Sequence, residues 1–238
     1  MTSGGASPGG TGGIDHIGVV VPARDEQQLL SRCLDGLGRA VTRVQEETDI
    51  AVTTVVVLDR CVDASAAVVA DYDVLAIAID SANVGLARAR GCAEVLSRHS
   101  PASPSTLWLA STDADSRVPD HWLIRQIELA AHGAELVLGT VTVEDWTDHA
   151  ADVAQRWAAT YEAGDGHPHV HGANVGCRAD AYLAAGGFPG LSCDEDVALV
   201  AALAGRVIMR VGDMAVSTSA RPQSRATGGF STFLAQLS

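Results

Sequence analysis

The 238-residue sequence has no apolar run approaching the ~20 residues that a membrane-spanning helix needs, so no transmembrane segment is expected. Its first thirteen residues, MTSGGASPGGTGG, lack both the basic start and the apolar core of a secretion signal. They read as a disordered Gly/Ser-rich tail over 1–13 that buries nothing. Basic residues are scarce: 16 Lys and Arg stand against 29 Asp and Glu, giving a net charge of −13. Proteins that hold DNA or RNA draw affinity from Lys and Arg neutralising phosphates, so the balance argues against a nucleic-acid partner. A small anionic ligand stays open, because a few arginines and a bound divalent cation can serve it locally. Cysteines are few and odd in number, at positions 33, 61, 92, 177 and 193, with no paired C-x-x-C spacing. That pattern reads as reduced, mostly buried thiols of a cytoplasmic protein. No internal repeat is present.

What is present is an alternation of strand and helix patterns. IGVVVP (Ile17 to Pro22) is a continuous apolar run, and Leu30, Cys33, Leu34 and Leu37 follow at i, i+3, i+4 and i+7, one helical face. Val52–Leu58 is apolar and β-branched on both faces, as strands of a parallel sheet are. A short helix is expected over 64–70, a strand over 74–79, a helix over 87–96, a strand over 107–111 and a helix from 119 or 120 to about 131. The second half adds a strand over 136–143, helices over 150–162 and 179–185, a helix opening on Asp194, Glu195 and Asp196, and late strands over 205–211 and 214–219. Single helices between strands imply right-handed βαβ crossovers, a Rossmann-like α/β fold with a mostly parallel sheet flanked by helices. Ligands in such sheets bind beyond the carboxyl ends of the strands. Four segments leave those ends, PARDE, LDRCVD, DSANVG and TDAD, and they are expected to converge.

Four constellations carry chemistry. Asp113 and Asp115 follow an apolar strand with one residue between them. On an extended turn, residues i and i+2 face the same way, so two carboxylates share one space. A hard cation relieves their repulsion, and Mn²⁺ or Mg²⁺ favour such oxygen ligands together with substrate phosphates. The same spacing also suits a polar turn whose Asp caps the next helix. Asp194, Glu195 and Asp196 open a helix. The helix dipole favours acids there, and a carboxylate at that place can also serve as general base toward a hydroxyl. In NVGLARARG, Arg88 and Arg90 fall on the first turn of a helix, suiting either a phosphate or a solvated face. In HPHVHG, His167, His169 and His171 alternate as zinc-binding histidines on a strand do. No fourth ligand follows, and a polar loop with one functional histidine reads as well.

The order of these pieces resembles family 2 of the nucleotide-sugar glycosyltransferases, which have the GT-A fold. The likeness spans roughly Ile17 to Arg225. VVVPARDE resembles the family's opening strand with its P-A-x-N-E-like segment. VLDRCVD resembles V-D-D-G-S-x-D, with Asp59 and Asp63 retained and Leu58, Arg60 and Cys61 departing. In NVGLARARG, Arg88 and Gly91 fit the N-x-G…R-N-x-G segment. DAD stands for D-x-D, HGANVGCRADAYLAAGGFP for the acceptor segment, and Glu195 with Asp196 for the E-D motif.

The resemblance implies roles. Pro22, Ala23 and Glu26 would line the nucleotide pocket, Asp59 would meet the base, and Arg88 would sit near the base or phosphates. Asp113 would face the ribose or sugar side and share the metal, Mn²⁺ or Mg²⁺, with Asp115. Asp196 would be the catalytic base with Glu195 beside the acceptor. His171, Gly172, Asn174, Gly187 and Phe188 would flank the acceptor pocket. Many GT-A enzymes supply a late histidine to the metal, and none follows His171 here. Ser217, Ser219, Arg221 or Arg225 would contact the diphosphate in its stead.

The expected organisation is a single GT-A catalytic domain over 14–238, with a nucleotide-binding half over about 14–118 and a smaller C-terminal acceptor lobe over 119–238. The expected activity is inverting transfer from a UDP- or GDP-type sugar donor to a small or lipid-like hydroxyl acceptor, by a soluble cytoplasmic enzyme with at most peripheral membrane contact. Two other classes fit less well. A nucleotidyltransferase that makes sugar nucleotides carries a Gly-rich basic loop after the first strand, and PARDEQQ has no glycine and one arginine. A non-catalytic nucleotide-sugar binder has no need of intact D-x-D and E-D pairs.

Overall fold

The computed structural model describes residues 13–99, 104–150 and 152–221. The expected tail, apart from Gly13, and Arg225 lie outside the described residues.

Seven strands form one sheet in the order β3-β2-β1-β4-β6-β5-β7. The first half supplies β1 (His16–Ala23), β2 (Ala51–Asp59), β3 (Leu75–Ile79) and β4 (Leu107–Ser111), all mutually parallel. The second half supplies β5 (Leu136–Val143), β6 (Val175–Arg178) and β7 (Ile208–Thr218). Of these, β6 runs antiparallel to both its neighbours, while β5 and β7 pair in parallel.

Helices cover both faces. On one face α1 (Leu30–Glu47), α2 (Ser65–Val69) and α4 (Trp122–Ala131) pack on Val19, Val21, Val56 and Trp108. On the other, α3 (Val84–Arg98), α6 (Ala179–Ala184) and α7 (Glu195–Ala202) pack on Val20, Val55, Val57 and Leu109. The remaining α-helix among the described residues, α5 (Val153–Thr160), follows β5. Burial on both faces is why β1 and β2 read as unbroken apolar runs rather than alternating ones. At the α3 contact the approach is close enough to require glycine. A Cβ on Gly91 would lie 3.0 Å from Val57 Cγ2 and closer still to Val20 Cγ1.

Three expectations are corrected. The strand β6 was not foreseen: it is only four residues, and its Gly176 breaks the β-branched pattern. A side chain there would lie 2.6 Å from Trp108 Nε1. The two late strands are one, β7, with an irregularity in its pairing between Gly139 and Val141 of β5. Finally, α3 begins at Val84, because the Asn83 side chain caps it by accepting from Leu86 N at 2.9 Å. That moves Arg88 and Arg90 beyond the first turn, away from the free helix amides.

Candidate active site

The four segments leaving β1 to β4 do converge. Together with the segments around 169–173 and 192–197 they enclose a cavity of about 520 Å³, a size typical of small-molecule sites. Its lining is acidic. Glu26, Asp59, Asp113, Asp115, Asp194, Glu195 and Asp196 face only three arginines, at 24, 88 and 221.

Backbone conformation marks the same place. Among the described residues, four non-glycine residues have positive φ: Asp25 at 54°, Arg60 at 57°, Ala82 at 50° and Asp194 at 59°. All four sit on segments that border the cavity, and each conformation costs about 1 kcal/mol or more. Local bonds hold them: Asp25 Oδ1, for example, accepts from Val62 N at 2.8 Å.

Asp113 and Asp115 sit on the turn after β4. The turn closes with Ser116 N donating to Asp113 O at 3.0 Å, and its next residue, Arg117, pairs with Ser217 of β7. Ser116 Oγ donates to Thr218 Oγ1 at 2.9 Å. Burial first, and then the charge of Asp113, push the Asp115 carboxyl up to about 7, with Arg221 opposing. Arg221 Nη2 lies 3.1 Å from Asp115 Oδ2, and the same guanidinium grips Glu26 in a two-toothed pair, with Nη1 2.6 Å from Oε2. Arg221 thus ties Asp115 to Glu26 at the cavity wall. Ser219 also lines the cavity, whereas Ser217 is held in β7 pairing and does not.

Arg88 is the hub of the site. It is fully buried; Nη1 donates to Ser111 Oγ at 2.5 Å, Nη2 to Asp113 Oδ1 at 2.5 Å and Nε to Glu195 Oε1 at 2.8 Å. Burial alone would lower its pKa, but Asp113 and Glu195 outweigh that and raise it. Its charge is therefore spent inside the protein, and it ties the first half of the cleft to the second. Arg90 is exposed and pairs with Glu94 instead. Gly172 gives the hub room: a Cβ there would sit 2.9 Å from Arg88 Cζ.

Glu195, bound to Arg88 and buried, is a support. Asp196 is the half-buried partner. Burial, then the Glu195 charge, push its carboxyl above the usual range, against Arg88 and the N–H groups of Val197 and Gly172. Asp59 is engaged in full: Oδ1 accepts from Ser81 N and Ala82 N, and Oδ2 from Asn83 N and Ser81 Oγ, each at 2.8 Å. Burial pushes its pKa up, yet these bonds outweigh it and hold the carboxyl below its ordinary value. Asp59 shapes the cavity wall by fixing the 81–83 loop. Pro22 and Ala23 line the wall beside it.

Three acceptor-side residues are placed elsewhere. Asn174 is wholly buried; Nδ2 donates to Thr140 O at 2.7 Å and Met214 O at 2.9 Å, while Oδ1 accepts from Trp122 Nε1 at 2.8 Å. With that side chain committed, Asn174 pins β5 and β7 to α4 and does not reach the cavity. Gly187 is packed under Tyr182, and Phe188 is a core residue whose ring lies 5.8 Å from the Arg88 guanidinium carbon. Ser192, Cys193 and Asp194 take their place on the wall. His171 and Gly172 do line the cavity. The sequence reading missed Tyr161, whose hydroxyl bonds His171 Nε2 at 2.9 Å. Its aromatic ring among three histidines and a tryptophan was the available signal.

The fold and the cleft define an α/β protein with an acidic cavity at the carboxyl ends of its parallel strands. By sequence, residues 18–179 match glycosyl transferase family 2, and the chain belongs to that family. No curated protein matches the chain by sequence. Among solved structures, TarS 1–349 of S. aureus in complex with UDP is similar, with a TM-score of 0.63 and 14% identity over 87% of this chain and 61% of that one. The chain thus spans about three-fifths of that structure. Glucosyl-3-phosphoglycerate synthase of Mycobacterium tuberculosis, in complex with Mn²⁺, UDP and phosphoglyceric acid, has a TM-score of 0.55 and 16% identity over 87% of this chain and 72% of that one. The same synthase with Mg²⁺ and UDP gives 0.53 and 14%, covering 87% and 73%. At these identities the likeness is one of fold, and the α/β arrangement expected from the sequence is the one shared. Among the described residues no helix is long and apolar enough to cross a membrane.

Proposed function

We propose that this chain, read as one catalytic domain over 14–238, transfers a sugar from a nucleoside-diphosphate sugar of UDP or GDP type to a hydroxyl acceptor, with inversion. One observation carries the reading: Asp113 and Asp115 on one side and Asp196 on the other open into the same cavity, linked by the buried Arg88. The acceptor O–H gives its proton to the Asp196 carboxylate while its oxygen bonds to the anomeric carbon. The bond from that carbon to the diphosphate oxygen breaks, and the electron pair leaves with the nucleoside diphosphate. Attack opposite the leaving group inverts the carbon and needs no covalent sugar–enzyme intermediate.

The donor set fits a hard divalent cation. Asp113 and Asp115 offer carboxylate oxygens, and Asp115 is buried beside a like charge that Arg221 offsets only in part. Asp113 and Asp115 would hold Mn²⁺ or Mg²⁺, which when bound neutralises charge developing on the departing diphosphate. Arg221, flanking the same carboxylates, is the protein's own cation for that charge, and Arg225 is assigned the same task. Pro22, Ala23 and Glu26 form the nucleotide wall.

The test is thermal denaturation of the purified protein with UDP or GDP, with and without Mn²⁺. A Tm rise that needs both nucleotide and metal is expected, followed by release of free sugar or glycosylated acceptor from the matching donor. No Tm rise with either nucleotide would overturn the reading.

A further inference from the structure

Tyr161 caps the carboxyl end of α5, its N–H bonded to Trp157 O at 2.9 Å. Its ring is clamped between two others: Trp157 stacks at 4.6 Å and His169 at 4.1 Å, the latter within 6° of parallel. The phenol is therefore fixed in plane, and its hydroxyl has two neighbours. Val141 N donates to it at 2.8 Å, and His171 Nε2 lies 2.9 Å away. A backbone N–H only donates, so the phenolic oxygen accepts there and keeps its own hydrogen to give. His171 Nε2 is then the acceptor, and the ring proton resides on Nδ1. The opposite tautomer would make the oxygen accept twice and leave the hydroxyl hydrogen with no partner in a half-buried site.

We propose that Tyr161 is a positioning residue that holds His171 as the Nδ1–H tautomer, so that His171 faces the cleft as a neutral hydrogen-bond donor to a substrate hydroxyl beside Asp196. This rests on the reading of the cleft as a sugar-transfer site. The placement supports it. His171 lines the cavity, its Nδ1 is neither sealed from solvent nor bonded within the described residues, and Asp196 lines the same cavity. The turn that closes with Asn174 N donating to His171 O at 2.9 Å fixes the backbone. Burial first, then His169 and His167, push the His171 pKa down to about 4, so the ring stays neutral at working pH. A ring with Nε2 occupied and Nδ1 protonated neither ligates a metal nor accepts the acceptor's proton. It leaves those tasks to the carboxylates and orients the hydroxyl that Asp196 deprotonates.

The test reads the tautomer directly, on the ligand-free full chain at pH 7. Long-range ¹H–¹⁵N spectra of the histidine rings distinguish a protonated Nδ1 from a protonated Nε2, and the His171 signals are assigned by their loss in His171→Asn. The intact chain should show His171 protonated at Nδ1. Tyr161→Phe, which keeps the stacked ring, should move the proton toward Nε2, the form free histidine favours. A protonated Nε2 in the intact chain, or a tautomer unmoved in Tyr161→Phe, overturns the proposal. In transfer assays Tyr161→Phe should lower kcat about tenfold while the UDP-dependent Tm rise is kept. An unchanged kcat overturns the donor role. Failure of the sugar-transfer reading shows elsewhere, as absence of transfer by the intact chain, and does not touch the spectra.

Discussion

Arg88 and Glu195 form an ion pair closed off from solvent, Nε to Oε1 at 2.8 Å, with side chains 3% and 6% exposed. The pair joins α3 of the first half to the start of α7 in the second. The same guanidinium holds Asp113, so the two carboxylate sites are set at a fixed spacing by one buried cation. Arg88→Met removes that cation and leaves Glu195 buried and unpaired. Removing one partner of a buried pair costs about 3–5 kcal/mol. A large fall in Tm is expected by calorimetry, and Arg88→Met combined with Glu195→Gln should recover part of it. Equal loss in the single and double variants would show that the pair is not coupled.

Gly172 tests the same hub from the other side. A methyl group there runs into the buried guanidinium 2.9 Å from its central carbon, and Arg88 is held in place by its bonds to Ser111, Asp113 and Glu195. Gly172→Ala should lower stability by about 1–3 kcal/mol through overpacking and slow transfer with it. Denaturant unfolding measures the first quantity. A variant as stable as the parent would mean that the 171–173 segment yields easily.

Much of this was legible from the residues. Apolar runs on β1 and β2 announced strands buried on both faces, and the segments leaving β1 to β4 do meet at one cavity. Local patterns failed where tertiary contacts decide. Asn174 stands in a segment that reads as acceptor-binding, yet three partners from three elements commit its side chain. Arg88 reads as a phosphate ligand, because spacing along the chain does not reveal that Glu195, 107 residues away, meets it in the core. β6 is too short to show a period, and Tyr161 acquires its meaning only through His171, ten residues on.

Asp115 makes a prediction about metal and pH together. Its carboxyl is held up to about 7, first by burial and then by Asp113, while an unfolded Asp titrates near 3.9. A group raised in the folded state contributes stability that is present below the unfolded pKa and lost as pH rises through the folded one. The metal-free protein should therefore lose this contribution between about pH 4 and pH 7. Asp115→Asn should flatten that part of the Tm profile and abolish the Mn²⁺-dependent part of the UDP response. Melting curves across this range, with and without Mn²⁺, measure both. A metal response retained in the variant would remove Asp115 from the cation site.

Asp196, the proposed base, gives the sugar-transfer reading its pH dependence. A general base acts in its deprotonated form, and burial and the neighbouring Glu195 raise the pH at which Asp196 reaches it. As pH falls through that raised value, the carboxyl takes up a proton and transfer slows, at a pH higher than an ordinary aspartate would give. Asp196→Asn has no base at any pH. Transfer should drop by about 10²–10⁴-fold, the usual worth of a positioned acid or base, with the acidic limb of the rate profile lost. The asparagine is close in shape and leaves Asp113 and Asp115, the proposed diphosphate side, untouched, so the UDP-dependent Tm rise should persist. Loss of nucleotide binding in this variant would instead give Asp196 a structural part in opening α7, and the base would have to be sought elsewhere in the cleft.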